Sequence, residues 1–183
     1  MGLSWDEAGD DLYEPVIKRD TALAKYQGVF HSFPDREEWR MGDLYSRHPT
    51  EPDVWKYEGR RDDTIILSHG ENIAPAGLER CLRAVPGVEH VLLIGSARPA
   101  LAILLQVNEG ITAGSREMDG VLERVWTEVE AINGSVGPLA KIRRERIILA
   151  DPKLPFAMTK KGTVSRKRTL ALYALEIEEL YRR

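Results

Sequence analysis

Four short stretches of this chain carry residue types that could do chemistry, and glycine sits in each of them. Gly42-Asp43 places a carboxylate at a strand-to-turn junction. There an aspartate can accept two hydrogen bonds from a ribose diol, and the preceding glycine lets the backbone come close. Gly59-Arg60-Arg61-Asp62 offers a guanidinium, whose paired donors suit an anionic or diol acceptor in a way that lysine cannot match. Ser68-His69-Gly70-Glu71-Asn72 reads as a turn, and Thr159-Lys160-Lys161-Gly162-Thr163 reads as a cationic loop ahead of the last helix. Each alone is what a solvated turn looks like, and for Arg61 and Asp63 that bland reading is the one adopted.

Other chemistries find less support. His31, His48, His69 and His90 have no metal-ligand spacing, so no metal site is expected. The single cysteine, Cys81, excludes an internal disulfide and is expected to be a core thiol on an apolar helix face. Gly134-Ser135-Val136-Gly137-Pro138-Leu139-Ala140-Lys141 hints at a phosphate loop. It lacks the Gly-Lys-Ser/Thr ending and follows a helix instead of leading into one, so it is read as a post-helical turn. A net charge of -3 disfavours nucleic acid as a partner. No run approaches the ~20 apolar residues of a membrane helix. The acidic start has no signal-peptide pattern, which leaves a cytoplasmic protein as the expectation.

The elements that must position these residues follow from the apolar pattern. Residues 11–58 read as short strands and turns. Tyr13, Val16 and Ile17 fall in one strand-like run, Val29, Phe30 and Phe33 in another, and Val54-Trp55-Lys56-Tyr57 in a third. Gly59 to Asp63 has no hydrophobic periodicity between two apolar runs and resembles a hinge or domain boundary. Thr64–Leu67 is a strand. Pro75 then opens a helix whose stripe is Leu78, Cys81, Leu82 and Val85. Val88–Ile94 and Leu101–Val107 are strongly apolar and should be covered on both faces. Val121, Leu122, Val125, Val129 and Ile132 mark a second helix, Arg146–Leu149 a third sheet strand, and Leu170, Tyr173, Ile177 and Leu180 one terminal amphipathic helix. The expected fold class is α+β: a small domain with a central three-stranded sheet flanked by helices, preceded by a short β-rich segment.

Taken in order, the motifs resemble the closing segments of the adenylate-forming enzymes, which include acyl-CoA synthetases, non-ribosomal peptide synthetase adenylation domains and luciferases. Trp39-Arg40-Met41-Gly42-Asp43-Leu44 is similar to a Tyr-Arg-Thr-Gly-Asp-Leu motif, departing at Trp39 and Met41. Gly59-Arg60-Arg61-Asp62 matches a Gly-Arg-x-Asp hinge, and the run continues through Gly70, Pro75 and Glu79. The end of the chain is similar to Thr-x-x-Gly-Lys-Val-x-Arg but holds Thr163 where that pattern has its lysine. The Lys-Gly-Thr-Val form, with its surroundings, looks most like fungal carboxylic acid reductases of the non-ribosomal-peptide-synthetase-like kind and related aryl-acid adenylating enzymes.

The resemblance implies a division into residues 1–58 as the tail of a large N-terminal adenylation lobe, 59–63 as hinge, and 64–183 as the C-terminal lid. It implies an ATP- and magnesium-dependent enzyme that turns a small carboxylic acid into an acyl-AMP and passes the acyl group to a phosphopantetheine or coenzyme A thiol. Asp43 would hold the ribose, Arg60 the nucleotide, Asp62 would be the pivot, and Gly70 would admit the thiol arm. Lys161, with Lys160 as second choice, would replace the cation missing at Thr163. The phosphate loop, adenine segment and acyl pocket are absent, so the chain is expected to act with an N-terminal lobe and a carrier domain or CoA, and to be inactive alone. Apolar residues at Val29, Phe30, Phe33, Trp39 and Trp55 predict dimerisation in isolation. The rival reading is a non-catalytic docking or regulatory module that keeps the lid fold.

Overall fold

The computed structural model describes residues 2–9, 11–111 and 114–182. The chain divides into two compact units at the Asp63–Thr64 junction. In the first unit, β1 (Leu3–Gly9) and β2 (Leu12–Lys18) form an antiparallel hairpin. A 3-10 turn (Thr21–Tyr26) and a one-turn helix α1 (Val29–Ser32) follow, then β3 (Glu38–Arg40), β4 (Asp43–Arg47) and β5 (Trp55–Arg60). The strand order is β1-β2-β4-β5, with β3 also paired to β2.

Two features depart from the sequence reading. The acidic N-terminal residues form a full strand, in which Trp5 stacks on Trp55 of β5 at 3.8 Å between ring centroids. Tyr45 meets the edge of Trp5, and Tyr13 that of Trp55; such pairs contribute about 0.5–1.5 kcal/mol each. The segment around Val29 and Phe30 is helical, not a strand. The side chain of Asp20 caps the preceding 3-10 turn. Buried Gln27 donates to the Lys18 carbonyl and accepts from the Asp20 amide, and these bonds curl the chain so that Phe30 turns inward. Phe30 therefore does not add to the exposed apolar surface, whereas Phe33 does.

The second unit begins with a small hairpin, β6 (Ile65–Ile66) and β7 (Asn72–Ile73), then α2 (Pro75–Arg83). β8 (Val88–Ile94) and β9 (Ala102–Val107) are antiparallel, and β10 (Ile147–Leu149) joins β9 in parallel, giving the order β10-β9-β8. Between β9 and β10 runs α3 (Arg116–Asn133), whose Ser115 hydroxyl caps it by accepting from the Met118 amide at 3.1 Å.

Alternation along β8 and β9 sends side chains to two cores. Val91, Leu93, Ile103 and Leu105 meet Leu82 of α2 and Val121, Val125, Val129 and Ile132 of α3. Leu92, Ile94, Ala102 and Leu104 meet Phe156, Tyr173 and Ile177 on the opposite face. The apolar runs Val91–Ile94 and Leu101–Leu105 are thus explained by a sheet covered on both sides, and the α+β expectation holds.

The terminal amphipathic stretch is two helices, α4 (Arg166–Leu172) and α5 (Ala174–Arg182), interrupted at Tyr173. The buried Tyr173 hydroxyl accepts from the Asp151 amide at 3.0 Å and donates to the Leu154 carbonyl, which ties this point to the preceding turn. Cys81 corrects another expectation: its helix buries Leu82, while the thiol lies exposed beside the stripe. The glycine-rich stretch after α3 is a turn, stapled by Asn133, whose side-chain amide pairs with both the N–H and C=O of Ile142 at 2.8 Å. Among the described residues no helix is long and apolar enough to cross a membrane.

Candidate functional site

In the first unit, antiparallel pairing sets Asp43 of β4 opposite Arg60 of β5. The Arg60 Nη1 donates to Asp43 Oδ1 at 3.2 Å, and both side chains keep solvent exposure. Gly42 has φ +73°, and a Cβ there would lie 2.9 Å from Arg60 Nη2, so glycine is needed for the guanidinium to cross this turn. The sequence expectation gives Asp43 and Arg60 separate contacts to one nucleotide; the structure makes them partners of each other.

The organising residue of this corner is one that the sequence reading does not single out. Glu14, on β2, is 2% exposed. Its carboxylate accepts from the Gly42 amide at 3.0 Å, from Arg61 Nη1 at 3.1 Å and from Arg40 Nη1 at 3.3 Å. Arg61 is thus exposed in a turn, as expected, but its guanidinium is also tied to the buried carboxylate of Glu14. Its amide also donates to the Gly42 carbonyl at 2.8 Å, so both sides of the Gly42 residue are held. The carboxylates of Asp6, Glu38 and Glu14 together raise the Arg40 guanidinium above its ordinary value. The one available signal is an acid between Tyr13 and the apolar pair Pro15-Val16 in a strand. Asp62 and Asp63 follow in a 3-10 turn, Arg61–Asp63, with Asp62 exposed at the border of the unit.

Gly70 lies in the second unit, at the turn joining β6 to β7. The Gly70 amide donates to the Leu67 carbonyl at 2.9 Å, and the Leu67 amide to the Glu71 carbonyl at 2.9 Å. With φ +91° at Gly70, this is a turn over Ser68-His69 closed by a glycine bulge. A Cβ on Gly70 would meet nothing within 4 Å, so its backbone conformation is the local reason for glycine. The turn is anchored from outside. Ser68 N–H donates to the Arg98 carbonyl at 2.8 Å. Glu71 Oε1 accepts from the Gly137 amide at 3.0 Å, and Glu71 Oε2 lies 3.0 Å from His69 Nε2.

Lys160 and Lys161 occupy a second turn of the same kind. The Gly162 amide donates to the Thr159 carbonyl at 3.0 Å, the Thr159 amide to the Thr163 carbonyl at 2.7 Å, and Gly162 has φ +75°. An isolated bridge between Met158 and Val164 forms the stem. Both lysines are exposed at the tip. Thr163 has a structural role, since its hydroxyl lies 2.9 Å from that of Thr159, which also accepts from the Lys161 and Thr163 amides. The position that holds lysine in the resembling motif is here a staple. Glu79 and Arg166, which close the two motifs, form an ion pair, each side chain 16% exposed.

A helix-covered three-stranded sheet bearing two exposed glycine-bulge hairpins makes the second unit a small mixed α+β domain. Residues 62–183 match the family described as AMP-binding enzyme C-terminal domain, and the chain belongs to it. It is 35% identical over 183 residues to the carboxylic acid reductase of Neurospora crassa, covering 99% of this chain and 17% of that protein. To the adenylate-forming reductase Nps11 of Serpula lacrymans it is 32% identical, over 97% of this chain and 16% of the relative. The chain thus spans less than a fifth of the length of these relatives. Among solved structures, the A domain of the Segniliparus rugosus carboxylic acid reductase, in complex with AMP and a co-purified carboxylic acid, aligns with a TM-score of 0.67. That alignment has 20% identity and covers 93% of this chain and 28% of that one, a likeness of fold.

Proposed function

We propose that the chain is the C-terminal part of an ATP-dependent carboxylate-adenylating enzyme, with Thr64 onwards as its lid, Asp62 in the Gly59–Asp63 hinge as pivot, and the residues up to Glu58 as the tail of the large lobe. The observation that carries this reading is the Thr159–Thr163 turn: within a domain of the AMP-binding family, it presents two lysine ammoniums to solvent on a stapled backbone.

In the first step a carboxylate oxygen bonds to the α-phosphorus of ATP and the bond to the pyrophosphate oxygen breaks. Negative charge builds on the phosphoryl oxygens, and a positioned cation stabilises it, an effect of the kind worth ~10²–10³ in rate. Lys161 supplies that cation in this reading, with Lys160 as the alternative. Asp43 accepts hydrogen bonds from the ribose hydroxyls, and Arg60, already across the sheet from it, holds the carboxylate in place and faces the nucleotide. In the second step the thiol sulfur bonds to the acyl carbon and AMP leaves, with the Gly70 turn placed beside the thiol arm. The acceptor is a carrier domain's phosphopantetheine or coenzyme A; an A-PCP didomain of the Segniliparus rugosus enzyme is also a structural neighbour, with a TM-score of 0.65. Among the described residues no group of three His, Cys, Asp or Glu side chains could hold a metal ion, so magnesium is assigned to no residue here.

A second reading, a docking or regulatory module, is favoured by one observation, the threonine staple at Thr163. Adding the chain in trans to an N-terminal lobe distinguishes the two. The enzyme reading predicts no acid-dependent pyrophosphate release from the chain alone and release once the lobe is supplied. Release that persists with both Lys160 and Lys161 changed to alanine would favour the module.

A further inference from the structure

Leu93 sits on β8, an edge strand of the three-stranded sheet, and is fully buried. Its backbone groups on the free edge are satisfied by side chains instead of a further strand. The Leu93 amide donates to Glu79 Oε1 at 2.6 Å, and the Leu93 carbonyl accepts from Arg166 Nη1 at 2.8 Å. Arg166 Nη2 in turn donates to the same Glu79 oxygen. One peptide strand, one carboxylate and one guanidinium fork thus form a closed ring of hydrogen bonds in a largely buried place.

What this ring holds is the base of the lysine turn. Arg166 is the first residue of α4 and follows directly on the stem residues Val164 and Ser165. The other side of the stem is secured separately. The Ala157 amide donates to the hydroxyl of buried Thr169 at 3.1 Å, and the Ala157 carbonyl accepts from the Ser165 amide at 2.7 Å. Glu79 belongs to α2, which begins just after the Gly70 hairpin. We propose that Glu79 and Arg166 are positioning residues for the lysine turn: they lock the stem-to-helix junction onto the β8 edge and so fix where Lys160 and Lys161 point. A lone lysine ammonium at 166 could not serve the carbonyl and the carboxylate with one planar fork, so arginine is the residue the arrangement requires.

The mechanical part of this inference stands on the geometry; its catalytic consequence rests on the function proposed above. A lysine-specific protease reads the mechanical part directly, because a tight hairpin must open before its tip fits a protease cleft. The measurement is the initial rate of cleavage after Lys160 and Lys161 in the 183-residue chain, well below its melting temperature. Glu79→Ala and Arg166→Met are expected to raise that rate about tenfold, and Glu79→Gln, which keeps an acceptor for the Leu93 amide, by less. Val125→Ala, destabilising on the sheet face away from α4 and the turn stem, is the control and should leave tip cleavage near the parent rate at the same distance from its own melting point. Unchanged cleavage in the Glu79 and Arg166 variants, or an equal rise in Val125→Ala, would overturn the proposal.

With an N-terminal lobe supplied, Glu79→Gln and Arg166→Met should lower kcat for acid-dependent ATP–pyrophosphate exchange about tenfold while leaving KM for the acid unchanged. A shift in KM alone would refute the positioning role. If Lys160→Ala and Lys161→Ala both leave exchange intact, the adenylation role of the turn fails, while the cleavage result still decides the clamp.

Discussion

The turns at Leu67–Glu71 and Thr159–Thr163 share one backbone and differ in what holds them. Each closes with an amide-to-carbonyl bond between its ends and places glycine with positive φ at its fourth residue. The Gly70 turn is gripped from outside, through Arg98 and through Glu71 on the Gly137 amide. The lysine turn is stapled within itself by two threonines and clamped at its base, through Arg166. Identical turn chemistry can therefore yield a tip that is fastened to the domain or a tip that projects from it, and the difference lies in long-range partners. A projecting cationic tip suits the role proposed above for Lys161.

Breaking the outer grip should have the largest effect. A Cβ at Gly137 would lie 2.7 Å from the Glu71 carboxylate, so Gly137→Ala is expected to displace Glu71 and cost about 2 kcal/mol in urea unfolding. Amide exchange should quicken at Ser68–Glu71 and stay unchanged at Thr159–Thr163; equal quickening in both would erase the contrast. Removing the staple comes next. Thr159→Val should cost about 1 kcal/mol and loosen the lysine turn alone. Gly70→Ala and Gly162→Ala probe what the turns share. Both sites have open space where a methyl group would go, so backbone strain alone acts, and each change should cost about 1 kcal/mol to a similar degree.

Alkaline pH should not separate the turns at all. Burial pushes the Tyr181 phenol up to about 12 from its ordinary 10.0, and burial raises Tyr173 as well. Their folded pKa values exceed the unfolded ones, so this stabilisation is complete below pH 10 and is lost as pH rises through the window from 10 to 12. Thermal melts across that window should show a falling melting temperature in the parent and a shallower fall in Tyr181→Phe.

The sheet is legible in the sequence because β8 and β9 carry the apolar runs Val91–Ile94 and Ala102–Leu105, a pattern that burial on both faces accounts for. The terminal stripe is legible as helical, but not its break at Tyr173, which depends on a hydroxyl reaching Asp151 and Leu154. α1 escapes a sequence reading because its apolar residues are strand-like in type, while buried Gln27 bends the chain before them. At the candidate site, glycine with charge marks the turns. Glu14 shows only as an acid within an apolar strand, and Arg61 as one charge among several, because their contact joins distant parts of the sequence. Cys81 lies one position away from the buried Leu82, so its apolar residue type is a poorer guide than the geometry of the stripe.

The most direct test of the central claim is acid-dependent ATP–pyrophosphate exchange by the chain assembled with an N-terminal lobe, compared among the parent, Lys160→Ala and Lys161→Ala. The account predicts a loss of about 100-fold or more for Lys161→Ala, a much smaller loss for Lys160→Ala, and unchanged melting temperatures for both. Parent-like exchange in both variants would contradict the assignment of the turn as the source of the cation.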